Sequence, residues 1–164
     1  MKTLYITRHA QADKKENPSH ADIERPLKKE GKREALEMAQ RLHRMNVIPE
    51  QVISSPAIRA KMTAETMMKE WGSQKEDLKE EGVLFPGNAD EILLWIAASS
   101  NHYDQLLIVG HQPELSRLVE LLTEASPGPL PPCSVVSCEF ETDDWNAVVR
   151  GSGHLKWVLT PSSK

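Results

Sequence analysis

Five side chains carry the chemistry this sequence can do. Arg8 and His9 stand side by side at the end of the apolar run of residues 4–7, and Arg25 lies in the segment ERPLKKEG. Ser54, Ser55 and Arg59 follow the short apolar pair Val52 and Ile53, and His111 follows the run of residues 106–109 and Gly110. Each is ordinary alone, since an arginine at a strand end is usually solvated and an isolated histidine is more often a structural hydrogen-bonder. Together, two imidazoles and three guanidiniums with no obvious acid among them attract an anion with several oxygens. A phosphoryl group fits, because guanidinium forks match its oxygens bidentately and each charge-assisted bond contributes on the order of 1.5–3 kcal/mol.

Other plans for handling phosphate or acyl groups are missing. There is no GxxxxGK[ST] loop, no GxGxxG and no GxSxG elbow. The six histidines, at positions 9, 20, 43, 102, 111 and 154, form no HxxxH pair, and the cysteines form no CxxC. No metal and no cofactor is expected, so the nucleophile is a histidine or water. A histidine attacks phosphorus as neutral imidazole, one nitrogen holding its proton against a backbone carbonyl while the other presents a lone pair. His9 suits this role at a strand tip; Arg8 beside it favours the neutral ring and can hold phosphoryl oxygens. His111, arriving from another strand, can donate to an oxygen as charge develops.

These groups converge only if the elements carrying them do. Apolar runs bounded by turn residues alternate with helical periods, the pattern of an α/β sheet. Residues 4–7 read as the first strand, and residues 31–44 as a helix whose stripe is Ala35, Met38, Ala39, Leu42 and Met45. Val52 and Ile53 form a second strand. Ser55 and Pro56 supply an N-cap and first-turn proline for a helix with the stripe Ala60, Ala64, Met67 and Trp71. Residues 72–81 read as an exposed connection, 83–85 as briefly extended and 91–98 as helical. The continuous run 106–109 is a central strand covered on both faces, and Pro113 opens a helix with the stripe Leu115, Leu118, Val119 and Leu122. After the stiff loop 126–132, strands over 134–140 and 154–159 are joined by a polar turn at 143–146. Helices between the earlier strands imply parallel pairing, and in such sheets ligands bind beyond the carboxyl ends of the strands. All three polar clusters then face one crevice, with Arg25 reaching over from the long loop after the first strand.

Composition narrows the class. The 164 residues fit a single domain, 1–164. A net charge of −4 argues against broad nucleic-acid binding. No apolar run approaches the roughly 18 residues of a membrane helix, and the protein is expected to be cytoplasmic. Cys133 and Cys138 are five apart, which on an extended strand puts them on opposite faces; both are expected to be reduced and buried.

The sequence resembles the histidine phosphatase superfamily, and within it the small SixA-type phosphohistidine phosphatases. The resemblance rests on RHA at residues 8–10, RPL and its following glycine at 25–31, SSPAIRAKMTAE at 54–65 and VGHQPELS at 109–116, in family order along most of the chain. It implies that His9 is the phosphorylated nucleophile, that Arg8, Arg25 and Arg59 hold the phosphate, and that His111 is the second histidine of the pocket. It also implies a three-layer α/β/α sandwich with a mostly parallel mixed sheet.

Two departures carry information. Ala10 stands where many members have glycine, and an alanine resists positive φ. The stretch GVLFPGNADE at 82–91 offers no placeable acid where phosphomonoesterase and mutase relatives carry one; Glu81, Asp90 and Glu91 are near, and Glu91 reads as a first-turn helix charge. An alkoxide leaving group gains roughly 10²–10⁴-fold from a general acid, whereas an imidazole departs already protonated. The expected substrate is therefore phosphohistidine of a protein. The alternatives are a small phosphorylated metabolite and, in a different class, an inactive phosphoprotein-binding module. Ser134 is read as satisfying local backbone, Trp95 and Trp157 as core, and His20, His43, His102 and His154 as surface or structural.

Overall fold

A computed structural model describes residues 1–14 and 21–162. Its strands are β1 (Lys2–Arg8), β2 (Gln51–Ser54), β3 (Lys79–Glu80), β4 (Gln105–Gly110), β5 (Val135–Phe140) and β6 (Gly153–Leu159). Its helices are α1 (Lys29–Arg44), α2 (Ile58–Glu70), α3 (Ala89–Ala97) and α4 (Glu114–Thr123). The strands form one sheet in the order β3-β2-β4-β1-β5-β6. The first four are parallel, while β5 runs antiparallel to both β1 and β6.

The apolar runs explain the layers. Successive side chains on a strand point to opposite faces. Leu4, Ile6, Leu106 and Ile108 accordingly pack with α3 and α4, in one core cluster. Tyr5, Leu107 and Val109 pack with α1 and α2 in the other. The result is the α/β/α sandwich with a mixed sheet expected from the sequence. Register then levels the strand ends: Arg8 lies opposite Gly110, and Ser54 opposite Val109. The next residues continue the ladder, with His9 N–H donating to the Gly110 carbonyl at 3.2 Å and Ser55 N–H to that of Val109 at 3.0 Å. His9, Ser55 and His111 therefore leave the sheet along one edge.

Several expectations are corrected. The connection over 72–81 contains β3, and the extended segment over 83–85 is instead a 3₁₀ turn, Gly82–Leu84. Two charged residues pairing at a sheet edge show no apolar alternation and blunt that edge against further pairing. Helix α2 starts at Ile58, not directly after Ser55: Ala57 takes the N-cap position and Pro56 lies in the bend before it. Met45 is not part of the α1 stripe; it caps the helix and is 43% exposed. Trp95 and Trp157 flank the core, whereas Trp145, in the turn read as merely polar, is fully buried. Its indole donates to the Tyr103 carbonyl at 2.8 Å, so its one polar atom is satisfied. Cys133 precedes β5 with φ +65°; it and Cys138 are free, buried and in opposite clusters. Among the described residues, no helix is long and apolar enough to cross a membrane.

Candidate active site

Arg8, His9, Arg25, Arg59 and His111 line one cavity of about 480 Å³ at the carboxyl edge of the parallel strands. Each reaches it by a distinct local device. Arg8 ends β1, its Nη1 donating to the Leu130 carbonyl at 2.9 Å. The loop before β5 closes over this strand tip, Cys133 N–H bonding the Arg8 and His9 carbonyls at 3.1 and 3.0 Å. Ser134 satisfies local backbone as expected, its hydroxyl donating to the Pro131 carbonyl at 2.6 Å.

The chain after His9 is held from two sides. Ala10 N–H donates to Thr63 Oγ1 at 3.0 Å, and that hydroxyl donates to the Arg59 carbonyl at 2.8 Å, tying the loop to the first turns of α2. Ala10 is buried and is not among the residues of positive φ, so alanine is accommodated there. Gln11 bonds Glu34 of α1 through its Nε2 at 3.0 Å. A Cβ on Gly31 would lie 2.1 Å from the Gln11 carbonyl oxygen, so only glycine lets the start of α1 lie against this loop. That contact accounts for the glycine following RPL.

His9 is 8% exposed, and its Nδ1 lies 2.7 Å from the Ala10 carbonyl oxygen. A carbonyl only accepts, so Nδ1 carries the hydrogen and Nε2 presents the lone pair. Burial first, then the charges of Arg59, Arg8 and Arg25, lower the His9 pKa to about 4, against the opposing pull of the Ala10 bond. The His111 ring centroid lies 5.2 Å from that of His9. Burial foremost, with His9, Arg59 and Arg25, lowers the His111 pKa to about 3, while Asp22 pulls it upward. Both rings are neutral near pH 7.

Arg59 is 4% exposed, its Nη1 donating to the Asp22 carbonyl at 2.6 Å. Arg25 donates through Nη1 to the Asp13 carbonyl at 2.6 Å. Burial lowers the pKa of Arg8, and burial then Arg25 that of Arg59, but guanidiniums stay charged. Arg8 Nε, Arg59 Nε and His111 Nδ1 are buried without a hydrogen-bond partner. Such groups are costly unless an acceptor or donor reaches them.

Asp22, which lines the cavity, and Phe85, which packs on its side chains, were not assigned to the site from the sequence, and Ser55 has a contact there beyond its expected capping role. Asp22 corrects the expectation of a site without an acid: it lines the cavity and pairs with Arg25 at 2.9 Å and Arg59 at 3.5 Å. An acid three residues before an arginine, at the start of a 3₁₀ turn, was the available signal. Ser55, read as a helix cap, accepts from Ala57 N–H at 3.0 Å and bonds His111 Nε2 at 2.8 Å. Phe85 stands 5.2 Å from the His111 ring and 5.8 Å beneath the Arg59 guanidinium, so the segment after β3 delivers an aromatic wall. Its neighbour Glu81 pairs with Lys79, and Asp90 and Glu91 take the cap of α3 from Asn88. His43, His102 and His154 are exposed, and His20 lies outside the described residues. Among the described residues, no group of three or more His, Cys, Asp or Glu is placed to hold a metal.

This geometry belongs to a known architecture. The fold superposes on the protein histidine phosphatase SixA complexed with tungstate with a TM-score of 0.82, at 24% identity and over 97% of both chains. It superposes on a mycobacterial glucosyl-3-phosphoglycerate phosphatase with a TM-score of 0.74, at 16% identity, over 98% of this chain and 100% of that one. An uncharacterised protein of Picosynechococcus sp. is 30% identical over 127 residues, 76% of this chain and 75% of its own length. The profile of the histidine phosphatase superfamily (branch 1) matches residues 4–83, the part of the chain that carries Arg8, His9, Arg25 and Arg59. The chain belongs to the histidine phosphatase superfamily.

Proposed function

We propose that the protein is a metal-independent phosphohistidine phosphatase that transfers the phosphoryl group to His9 and then to water. The observation that carries this reading is the His9 ring: buried, neutral, its Nδ1 hydrogen fixed on the Ala10 carbonyl at 2.7 Å, within a cavity lined by three guanidiniums. Binding alone needs the guanidiniums; it does not need a desolvated imidazole with a directed lone pair.

In the first step His9 Nε2 attacks phosphorus and the bond to the leaving group breaks, while Arg8, Arg25 and Arg59 hold the equatorial oxygens. Ser55 accepts from Ala57, so its own hydrogen is available to His111 Nε2; His111 then carries its hydrogen on Nδ1, from which it donates a hydrogen bond to a phosphoryl oxygen. In the second step water displaces His9 and inorganic phosphate leaves. Three fixed guanidiniums supply the positive charge that a metal gives in other phosphatases. The substrate assignment rests on the leaving group. The segment after β3 presents Phe85 to His111 rather than a carboxylic acid, which suits an imidazole that leaves already protonated.

Incubation with a phosphohistidine peptide is expected to label the enzyme with an acid-labile, base-stable phosphoryl group. His9→Ala is expected to abolish that label and the hydrolysis of p-nitrophenyl phosphate while its circular dichroism is unchanged, and chelators are expected to leave the wild-type rate unaltered. Full turnover by His9→Ala would end the mechanism; faster turnover of a sugar phosphate than of the peptide would move the substrate to a small metabolite.

A further inference from the structure

We propose that Asp22 makes the enzyme selective for substrates that carry positive charge beside the transferred phosphoryl group. The inference deepens the phosphatase reading above and rests on it. A carboxylate is unexpected in a cavity built to attract an anion, because it opposes the field that binds the phosphoryl group. Asp22 Oδ1 lies 2.9 Å from both Nε and Nη2 of Arg25, and Oδ2 lies 3.5 Å from Arg59 Nη2.

Holding the two guanidiniums in place does not by itself account for that charge. Backbone oxygens already anchor both: the Asp13 carbonyl takes Arg25 Nη1, and the carbonyl of Asp22 itself takes Arg59 Nη1, each at 2.6 Å. The Asp22 side chain therefore adds negative charge beside guanidiniums that each already hold a backbone oxygen. Its depth shows which part of a substrate would meet it. His9 and Arg59 are 8% and 4% exposed, whereas the Asp22 side chain is 42% exposed, on the turn at the cavity mouth. Attacking and leaving atoms lie roughly in line in phosphoryl transfer. A nucleophile at the bottom therefore sends the leaving group toward the mouth, past Asp22. The field of this carboxylate also spans the cavity, since it opposes the lowering of the His111 pKa.

A phosphohistidine ring protonated at its distal nitrogen meets this requirement. His9 Nε2 forms the new bond to phosphorus, the P–N bond breaks, and its electron pair returns to the substrate ring, which departs as neutral imidazole with its distal proton retained. Asp22 favours that protonated ring, and it repels leaving groups that bear a carboxylate.

The test uses two small phosphate esters of similar length and opposite distal charge, phosphoethanolamine and phosphoglycolate, with a phosphohistidine peptide alongside. Asp22→Asn keeps the shape and an acceptor for Arg25 while removing the charge. The ratio of kcat/KM for phosphoethanolamine over phosphoglycolate is expected to fall about tenfold in this variant, the scale of a partly exposed charge contact. Inorganic phosphate is expected to inhibit it more tightly than it inhibits wild type, and Asp22→Glu should keep the preference. The same esters titrated calorimetrically give the ratio of binding constants even where turnover is slow or a variant is impaired. Equal losses on both esters, with an unchanged ratio, would show that Asp22 only positions Arg25 and Arg59 and would overturn the proposal. A ratio that shifts in an enzyme inactive on the peptide would retain charge selection and discard phosphohistidine as the substrate.

Discussion

The two buried imidazoles make the fold sensitive to mild acid, and the size of that effect follows from their surroundings. His9 and His111 have pKa values of about 4 and about 3 in the folded protein, against the ordinary 6.5, chiefly because burial disfavours the charged ring. In the intervening range the unfolded chain binds more protons than the folded one, so stability falls as pH drops. Lowering the pH from about 7 to about 5 protonates both rings only in the unfolded state, which costs about 2 kcal/mol for each, or about 4 kcal/mol for the pair. That is a large part of the roughly 5–15 kcal/mol available to a domain. Both rings are still neutral in the folded state at the lower pH, so their mutual repulsion does not disturb the sum. Urea unfolding at the two pH values, for wild type and for the double variant His9→Gln with His111→Gln, isolates their contribution. Wild type is expected to lose about 4 kcal/mol more than the double variant over this interval. A difference under about 0.5 kcal/mol would show that the two rings are not desolvated together, and the electrostatic account of the cavity would be wrong.

Three further outcomes follow from single contacts. Gly31→Ala places a Cβ 2.1 Å from the Gln11 carbonyl oxygen, so α1 or the loop after β1 must shift; a loss of about 1–3 kcal/mol is expected in chemical denaturation, with activity reduced as that loop moves. Lys2 is 1% exposed, donates to Asp104 Oδ1 at 2.8 Å and to the Tyr103 carbonyl at 3.1 Å, and lies 5.6 Å from the Trp145 ring. Lys2→Met is expected to cost about 1–3 kcal/mol, at the lower end because Asp104 is largely exposed and rehydrates, and a thermal melt with unchanged kinetics is the check. Ser55→Ala removes the partner of His111 Nε2 and is expected to lower kcat about tenfold, the equivalent of one hydrogen bond, while inhibition by phosphate changes little.

What could be read from the sequence, and what could not, divides along a physical line. The runs at 4–6 and 106–109 are apolar at every position because both faces of a central strand are covered, and such runs are visible without any partner. Their polar termini were therefore visible too, and parallel pairing was enough to gather Arg8, His9, Ser55, Arg59 and His111 at one edge. β3 was not visible, since two charged residues carry no periodicity and owe their pairing to the edge of β2. Trp145 was misjudged for the same reason: its burial depends on Lys2, Asn101 and Tyr103, all more than 40 residues away. Asp22 reaches the cavity, and Phe85 the side chains that line it, through contacts with Arg59 and His111, which sequence spacing does not encode.

In the mechanism proposed above, the features that suit His9 to attack phosphorus also load the site with unfavourable groups. A directed lone pair requires a desolvated ring, and the guanidiniums that hold a phosphoryl group must be partly desolvated as well, which leaves Arg8 Nε and Arg59 Nε buried without acceptors. None of these costs can be relieved from within without spoiling the chemistry, because an acidic partner close to His9 would raise its pKa and draw the guanidiniums away from substrate. The fold offsets them from outside the cavity, with backbone rather than side-chain anchors. Ala10, Leu130, Asp13 and Asp22 each present a carbonyl to one cationic or proton-bearing group, and a carbonyl orients its donor without cancelling its charge. The sheet edge can supply such anchors because its strand ends are level and their backbones fixed by register. The Asp22 carboxylate departs from that rule, and its charge is the basis of the substrate selectivity proposed above.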